Sequence, residues 1–198
     1  MRVLDALAGL GGRPMLTSEA LKKIAAGDRA AFSALYATAQ PRLVRYAGAL
    51  LAGDIDAALD VVDEAFLSIW REAGRYAGVG NADGWVRRIV RNKAVDWLRA
   101  RRERPVASSY DQDQATSLAD DAHTPERAAE ISSSARELRK ALERLSPDHR
   151  EVVWLCYFEE RSLSEIALIT GCPENTVKTR LFHARKQLRS QLQRFETA

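Results

Sequence analysis

The stretch RSLSEIALITGCPENTVKTRLFHARK, residues 161–186, constrains this chain more than any other. It reads as two helices joined by a tight Gly-Cys-Pro turn. Ser162 and Glu165 have the spacing of a capping box, which starts the first helix ahead of Leu163, Ile166 and Ala167. Gly171 can leave that helix in the left-handed conformation, and Pro173 suits the first position of the next. In the second helix Val177, Leu181, Ala184 and Leu188 recur at helical spacing and make a core-facing stripe. Turned away from it are Asn175, Thr176, Thr179, Phe182, His183 and Lys186, with Lys178 and Arg180 on the flanks. This is a helix-turn-helix with a polar, cationic reading face sized for a DNA major groove.

The rest of the chain is bounded by length and residue usage. With 198 residues, one or two small domains can each bury a core, and a hydrophobic share of 46% is enough for folding. Cys156 and Cys172 form neither a disulfide framework nor a paired metal-ligand spacing, which fits a reducing cytoplasm. Asp5 interrupts the early apolar run, so residues 1–15 do not read as a signal peptide. Nowhere are there about 18 consecutive apolar residues, so no membrane-inserted helix is expected.

Net charge is only +3, but it is unevenly placed. Between Gly84 and Arg104, the basic residues Arg87, Arg88, Arg91, Lys93, Arg99, Arg101, Arg102 and Arg104 outnumber Asp96 and Glu103 by six. Between Glu174 and Arg194, Lys178, Arg180, Arg185, Lys186, Arg189 and Arg194 outnumber Glu174 by five. The remainder is therefore acidic. Two separated cationic helices suggest two footprints on a polyanion; either one alone could equally be a solvated face.

No strand pattern of useful length occurs, so the expected fold is all-α: two small helical domains and a linker, the second ending in the helix-turn-helix. The first spans residues 17–104, with helix breaks expected at Gly27-Asp28, Pro41, Gly53-Asp54 and the Gly74 to Gly84 stretch. Residues 1–16 form an extension. The segment 105–130 opens as PVASSYDQDQATSLADDAHT, acidic and without apolar periodicity, which reads as a flexible linker. Helix is expected to resume near Pro125, ahead of a second domain over residues 131–198. Within it Ser146-Pro147 starts a helix that carries Val152, Val153 and Cys156 toward the core.

In the first domain, Ile55, Leu59, Val62, Phe66 and Ile69 fall on one apolar face, with Asp56, Asp60, Asp63 and Glu64 around the rest. Such an acidic face is ordinarily solvated, yet it can dock a basic partner helix. From Gly84 to Arg104, Val86, Ile89, Val90, Ala94 and Trp97 share one arc. Arg88, Arg91, Asn92, Asp96, Arg99 and Arg102 share the opposite one, where cations can meet phosphates while Asn92 reaches a base edge or sugar. The glycine-rich loop before it, residues 75–83, lies where an unpaired base could be held out of its stack. His123, His149 and His183 are widely separated in sequence and give no metal-ligand spacing. No phosphate-binding loop or nucleophile–base constellation appears, so neither a cofactor nor an enzymatic activity is expected.

Taken in order, DVVDEAF at residues 60–66, GWVRRIVRN at 84–92 with DWLR at 96–99, the lead-in LSPDHREV at 145–152 and the helix-turn-helix resemble an extracytoplasmic-function (ECF) sigma factor. The resemblance covers about Thr17 to Gln193. It implies the promoter-recognition subunit of bacterial RNA polymerase. The Asp54–Arg71 helix, through Asp56, Asp60, Asp63, Glu64 and Phe66, would dock on the clamp helices of β′, and the second domain would meet the β flap. The loop with Tyr76, Asn81 and Asp83 would capture a flipped base of promoter DNA, and Arg88, Arg91, Asn92, Asp96 and Arg99 would contact the melted strand. Asn175, Thr176, Lys178, Thr179, Arg180, His183 and Lys186 would read the upstream element as duplex. A cognate anti-sigma factor is also implied. Gly84 stands where the family favours a better helix former, so the helix is expected to begin one residue later. A stand-alone helix-turn-helix regulator and a sigma-like decoy are the alternatives.

Overall fold

The computed structural model describes residues 17–76, 81–103 and 135–196, and every regular element among them is helical. Thr17 caps α1 (Ser18–Ala25), its hydroxyl accepting from the Ala20 amide at 3.3 Å. Asp28 caps α2 (Arg29–Leu50), and Asp54 caps α3 (Ile55–Glu72). A short 3₁₀ turn, Ala73–Arg75, leads toward α4 (Ala82–Glu103). Residues 135–143 form α5. Ser146 then caps α6 (Pro147–Val153), which widens into a π turn over Trp154–Phe158. The helix-turn-helix follows as α7 (Leu163–Thr170) and α8 (Glu174–Glu196). The proposed linker and the resumption of helix near Pro125 lie outside the described residues.

Three local expectations are corrected. Pro41 does not break the chain but sits inside the 22-residue α2. Leu35 and Ala39 before it and Leu43, Tyr46 and Ala47 after it are all buried on one core, and that burial outweighs a proline penalty of about 3 kcal/mol. Pro41→Ala should therefore raise stability by about 1–3 kcal/mol, read as a higher thermal midpoint. Gly84 lies within α4, which starts earlier, at Ala82. On α3, Val62, Phe66 and Ile69 are buried as the apolar face predicts, with Ala58, Val61 and Ala65 beside them, whereas Ile55 and Leu59 nearer the start of the helix are exposed.

Helices α2, α3 and α4 pack on one another, as do α6, α7 and α8. The two groups also touch, α4 against α7 and α2 against α6. Their buried side chains form one continuous cluster, from Leu21 and Leu43 through Val90 to Val152, Ile166 and Leu188. Helices α4 and α7 meet beside Gly84, where an added Cβ would lie in ordinary van der Waals contact, 3.8 Å from Cγ1 of Ile169. No described helix is long and apolar enough to cross a membrane.

Candidate DNA and polymerase interfaces

The turn between α7 and α8 forms as its residues require. The Ser162 hydroxyl accepts from the Glu165 amide at 3.3 Å, and the Glu165 carboxylate accepts from the Ser162 amide at 3.0 Å, closing the capping box. These bonds hold the Glu165 carboxyl below its usual pKa despite partial burial, which works in the opposite direction. Gly171 ends α7 at φ +70°, where a side chain would be strained. Val177, Leu181, Ala184 and Leu188 are buried, which fixes the rotation of α8. Asn175, Lys178, Thr179, Phe182, His183 and Lys186 are consequently exposed on one side, and Thr176 is half-buried beside them.

Arg180 behaves differently from its neighbours on that face. Its guanidinium donates to Asp148 Oδ2 at 2.6 Å and lies 3.8 Å from the Cys172 sulfur, tying α8 to α6 and to the turn. Its half-buried side chain therefore braces the reading helix. Lys178, exposed, is the cleaner test of a phosphate contact. Lys178→Ala should weaken duplex binding similarly across sequences and lower the salt slope by about one; an unchanged slope would remove the contact. His149 and His183, distant in sequence, are brought together with ring centroids 6.4 Å apart.

On α3 the carboxylates of Asp56, Asp60, Asp63 and Glu64 are exposed, flanked by exposed Leu59 and Leu67. The Tyr36 hydroxyl donates to Asp63 Oδ1 at 3.1 Å, a bond that raises the Tyr36 pKa, and Lys93 lies 3.4 Å from Glu64. Phe66 does not belong to this surface. It is 2% exposed and packs on the rings of Phe32 and Tyr36, because its position aligns with Val62 and Ile69 on the buried side of the helix.

Helix α4 divides into an open row and a covered row. Arg88, Asn92, Asp96 and Arg99 are exposed at successive turns, with Arg99 3.6 Å from Asp96. Asp83 and Arg87 are fully buried and Arg91 is half-buried, all three beneath the second domain. Arg87 Nη2 forms an ion pair with Glu159 at 2.8 Å, and its Nε lies 3.6 Å from Asp83. Arg161 pairs with Asp83 and with Glu165, the latter at 3.1 Å. Arg91 Nε lies 3.0 Å from both oxygens of Glu151, and the Tyr46 hydroxyl donates to the same carboxylate at 2.7 Å. Burial pushes the carboxyls of Glu151 and Glu159 above their usual range and pulls the Arg87 guanidinium below its own; the facing opposite charges resist both shifts.

Asp83 and Arg91, expected at the DNA surface, are thus engaged by protein in this conformation. Asn81 is exposed, but its amide donates to Glu165 at 3.4 Å and its carbonyl oxygen accepts from the Asp83 amide. Tyr76 contacts the Ser18 hydroxyl at 3.1 Å and the Trp85 ring. Residues 77–80 of the loop lie outside the described residues. Arg87, counted only as one of the basic residues, turns out to be a central buried contact. Its signal was present: it stands four residues after Asp83, three before Val90 and seven before Ala94, so it shares their face.

The architecture is that of a helix-turn-helix protein with a second cationic helix and a helix bearing an exposed acidic face. Residues 35–104 match the family model "Sigma-70 region 2", and residues 135–188 match "Sigma-70, region 4". The ECF RNA polymerase sigma factor SigL of Mycobacterium tuberculosis is 34% identical over 174 residues, covering 85% of this chain and 93% of that protein. The probable RNA polymerase sigma factor RfaY of Xanthomonas campestris is 33% identical over 89% of this chain, which spans only 44% of that protein's length. Among solved structures, the sigma factor RpoE from Bartonella quintana, in complex with the anti-sigma factor NepR, superposes with a TM-score of 0.60. The two are 26% identical over 82% of this chain and 96% of that one. This chain belongs to the sigma-70 family, among its ECF sigma factors.

Proposed function

We propose that this protein binds core RNA polymerase and directs it to specific promoters, which it recognises and melts. The observation that carries this reading is the order of two matched regions, a polymerase-docking and melting region followed by a helix-turn-helix region, with an exposed reading face on α8. The acidic face of α3 meets the clamp helices of β′, and the second domain meets the β flap. Arg88, Asn92, Asp96 and Arg99 contact the non-template strand, while Asn81 and Tyr76 flank the loop that takes a flipped base. Asn175, Thr176, Lys178, Thr179, His183 and Lys186 address the upstream element. Phosphate contacts position the protein and make binding salt-sensitive; base contacts select sequence. Melting is driven by trapping open bases, so the protein makes no covalent change to DNA and acts in the cytoplasm with the polymerase. A cognate anti-sigma factor controls access to these surfaces.

The test is transcription from fragmented host DNA by core polymerase, with and without this protein, with mapping of RNA 5′ ends. New starts sharing two upstream sequence elements are expected. Polymerase binding without new starts would favour a sigma-like decoy, and loss of both would favour a stand-alone regulator.

A further inference from the structure

The reading face of α8 carries side chains of very different freedom. Lys178 and Lys186 are exposed on long, flexible stems, whereas the exposed His183 meets two rings. The His149 imidazole stacks on it, with ring centroids 6.4 Å apart and planes 27° apart, and the Phe182 ring meets it edge-on at 5.4 Å. His149 stands in the first turn of α6, half-buried, and its amide donates to the Ser146 hydroxyl at 3.3 Å. Beside it Asp148 accepts from Arg180 at 2.6 Å, which fixes the start of α6 against α8. The two imidazoles line one groove together with Lys186.

We propose that His149 is a positioning residue: it holds the His183 ring in one orientation on the reading face, so that His183 selects a guanine of the upstream element. The proposal rests on reading α8 as a duplex-binding helix. An imidazole N–H can donate to N7 or O6 of guanine, and both positions are acceptors. Lys186, in the same groove, adds positive charge that favours that acceptor edge. A side chain that must be frozen at the moment of contact loses about two- to tenfold in binding. The stack spares His183 that loss, and only where the cognate base is present to use it. The Ser146 cap binds the His149 backbone amide, so a change of the His149 side chain leaves the start of α6 intact.

The test uses the full-length protein with core polymerase and promoter duplexes randomised across the upstream element, the bound molecules being sequenced. Wild type should enrich guanine at one position, and His183→Ala should remove that preference. His149→Ala should lower it about two- to tenfold, with the other positions and the salt slope unchanged. His149→Phe, which keeps an aromatic ring and loses both nitrogens, should restore it. With His183→Ala already present, His149→Ala should cost nothing further at that position, because it acts through His183.

A preference equal to wild type in His149→Ala would overturn the proposal, as would a His149→Phe variant no better than Ala or additive losses in the double variant. A uniform loss across sequences with a shallower salt slope would also overturn it, making His149 a phosphate contact. These outcomes leave the upstream element itself in place and count against His149 alone. If wild type selects no upstream element, the duplex-reading assignment of α8 fails together with the proposal.

Discussion

Replacing Arg88 and Asn92 together by Ala should lower promoter opening about 100-fold while leaving affinity for core polymerase near normal. Both side chains are exposed on successive turns of α4, and neither contributes to its buried stripe, so the helix itself should remain intact. A good polar contact to a base or its backbone is worth about 1–3 kcal/mol, and about 1.4 kcal/mol is tenfold in an equilibrium constant. The measurement is permanganate footprinting of the melted segment alongside polymerase binding by fluorescence anisotropy. Equal losses in both would contradict the division of roles between α4 and α3.

The complementary variant, Asp60→Arg with Asp63→Arg, should lower polymerase affinity by about 10- to 100-fold through like-charge contact with a basic partner helix. The two positions are not equivalent. Asp60 is exposed, whereas Asp63 also accepts from Tyr36, so Asp63→Arg loses a local bond besides reversing a charge. Tyr36→Phe is the control, removing that bond alone. Affinity equal to wild type in the double reversal, measured at low salt, would remove the docking assignment. The loss should shrink as ionic strength rises, because exposed charges are screened within about 10 Å at 0.1 M salt.

Local rules made much of this molecule readable. Thr17, Asp28, Asp54, Ser146 and Ser162 each cap a helix because a short side-chain oxygen can take an otherwise orphaned amide. Gly171 marks the turn because few other residues accept its backbone angle without strain. The stripe on α8 was visible because Val177, Leu181, Ala184 and Leu188 recur among positions that are polar except for the exposed Phe182.

The departures share a tertiary cause. Pro41 opposes helix locally, but core contacts on both sides overrule it. Ile55 and Leu59 have the right size and spacing for a core, yet only Val62, Phe66 and Ile69 of that face are buried, with Ala58, Val61 and Ala65 filling the contact beside them. The two-domain contact was the least legible feature. Tyr46 and Glu151 are 105 residues apart in sequence, and no periodicity connects an arginine on α4 to a carboxylate in α6 or just after the π turn. Arg91 consequently read as a surface cation, and Arg87 only as one member of a basic stretch.

The capping box of α7 has a consequence for motion. Glu165 serves three clients: the backbone and hydroxyl of its own helix start, the Arg161 guanidinium just before it, and the Asn81 amide across the domain contact. Only the last would be lost if the domains parted. The bonds that nucleate α7 are drawn entirely from Ser162 and Glu165, so the helix-turn-helix needs no help from the first domain to stay wound. Separation should therefore move a finished reading head as a rigid piece, and the search for an upstream element would not have to wait for a helix to fold.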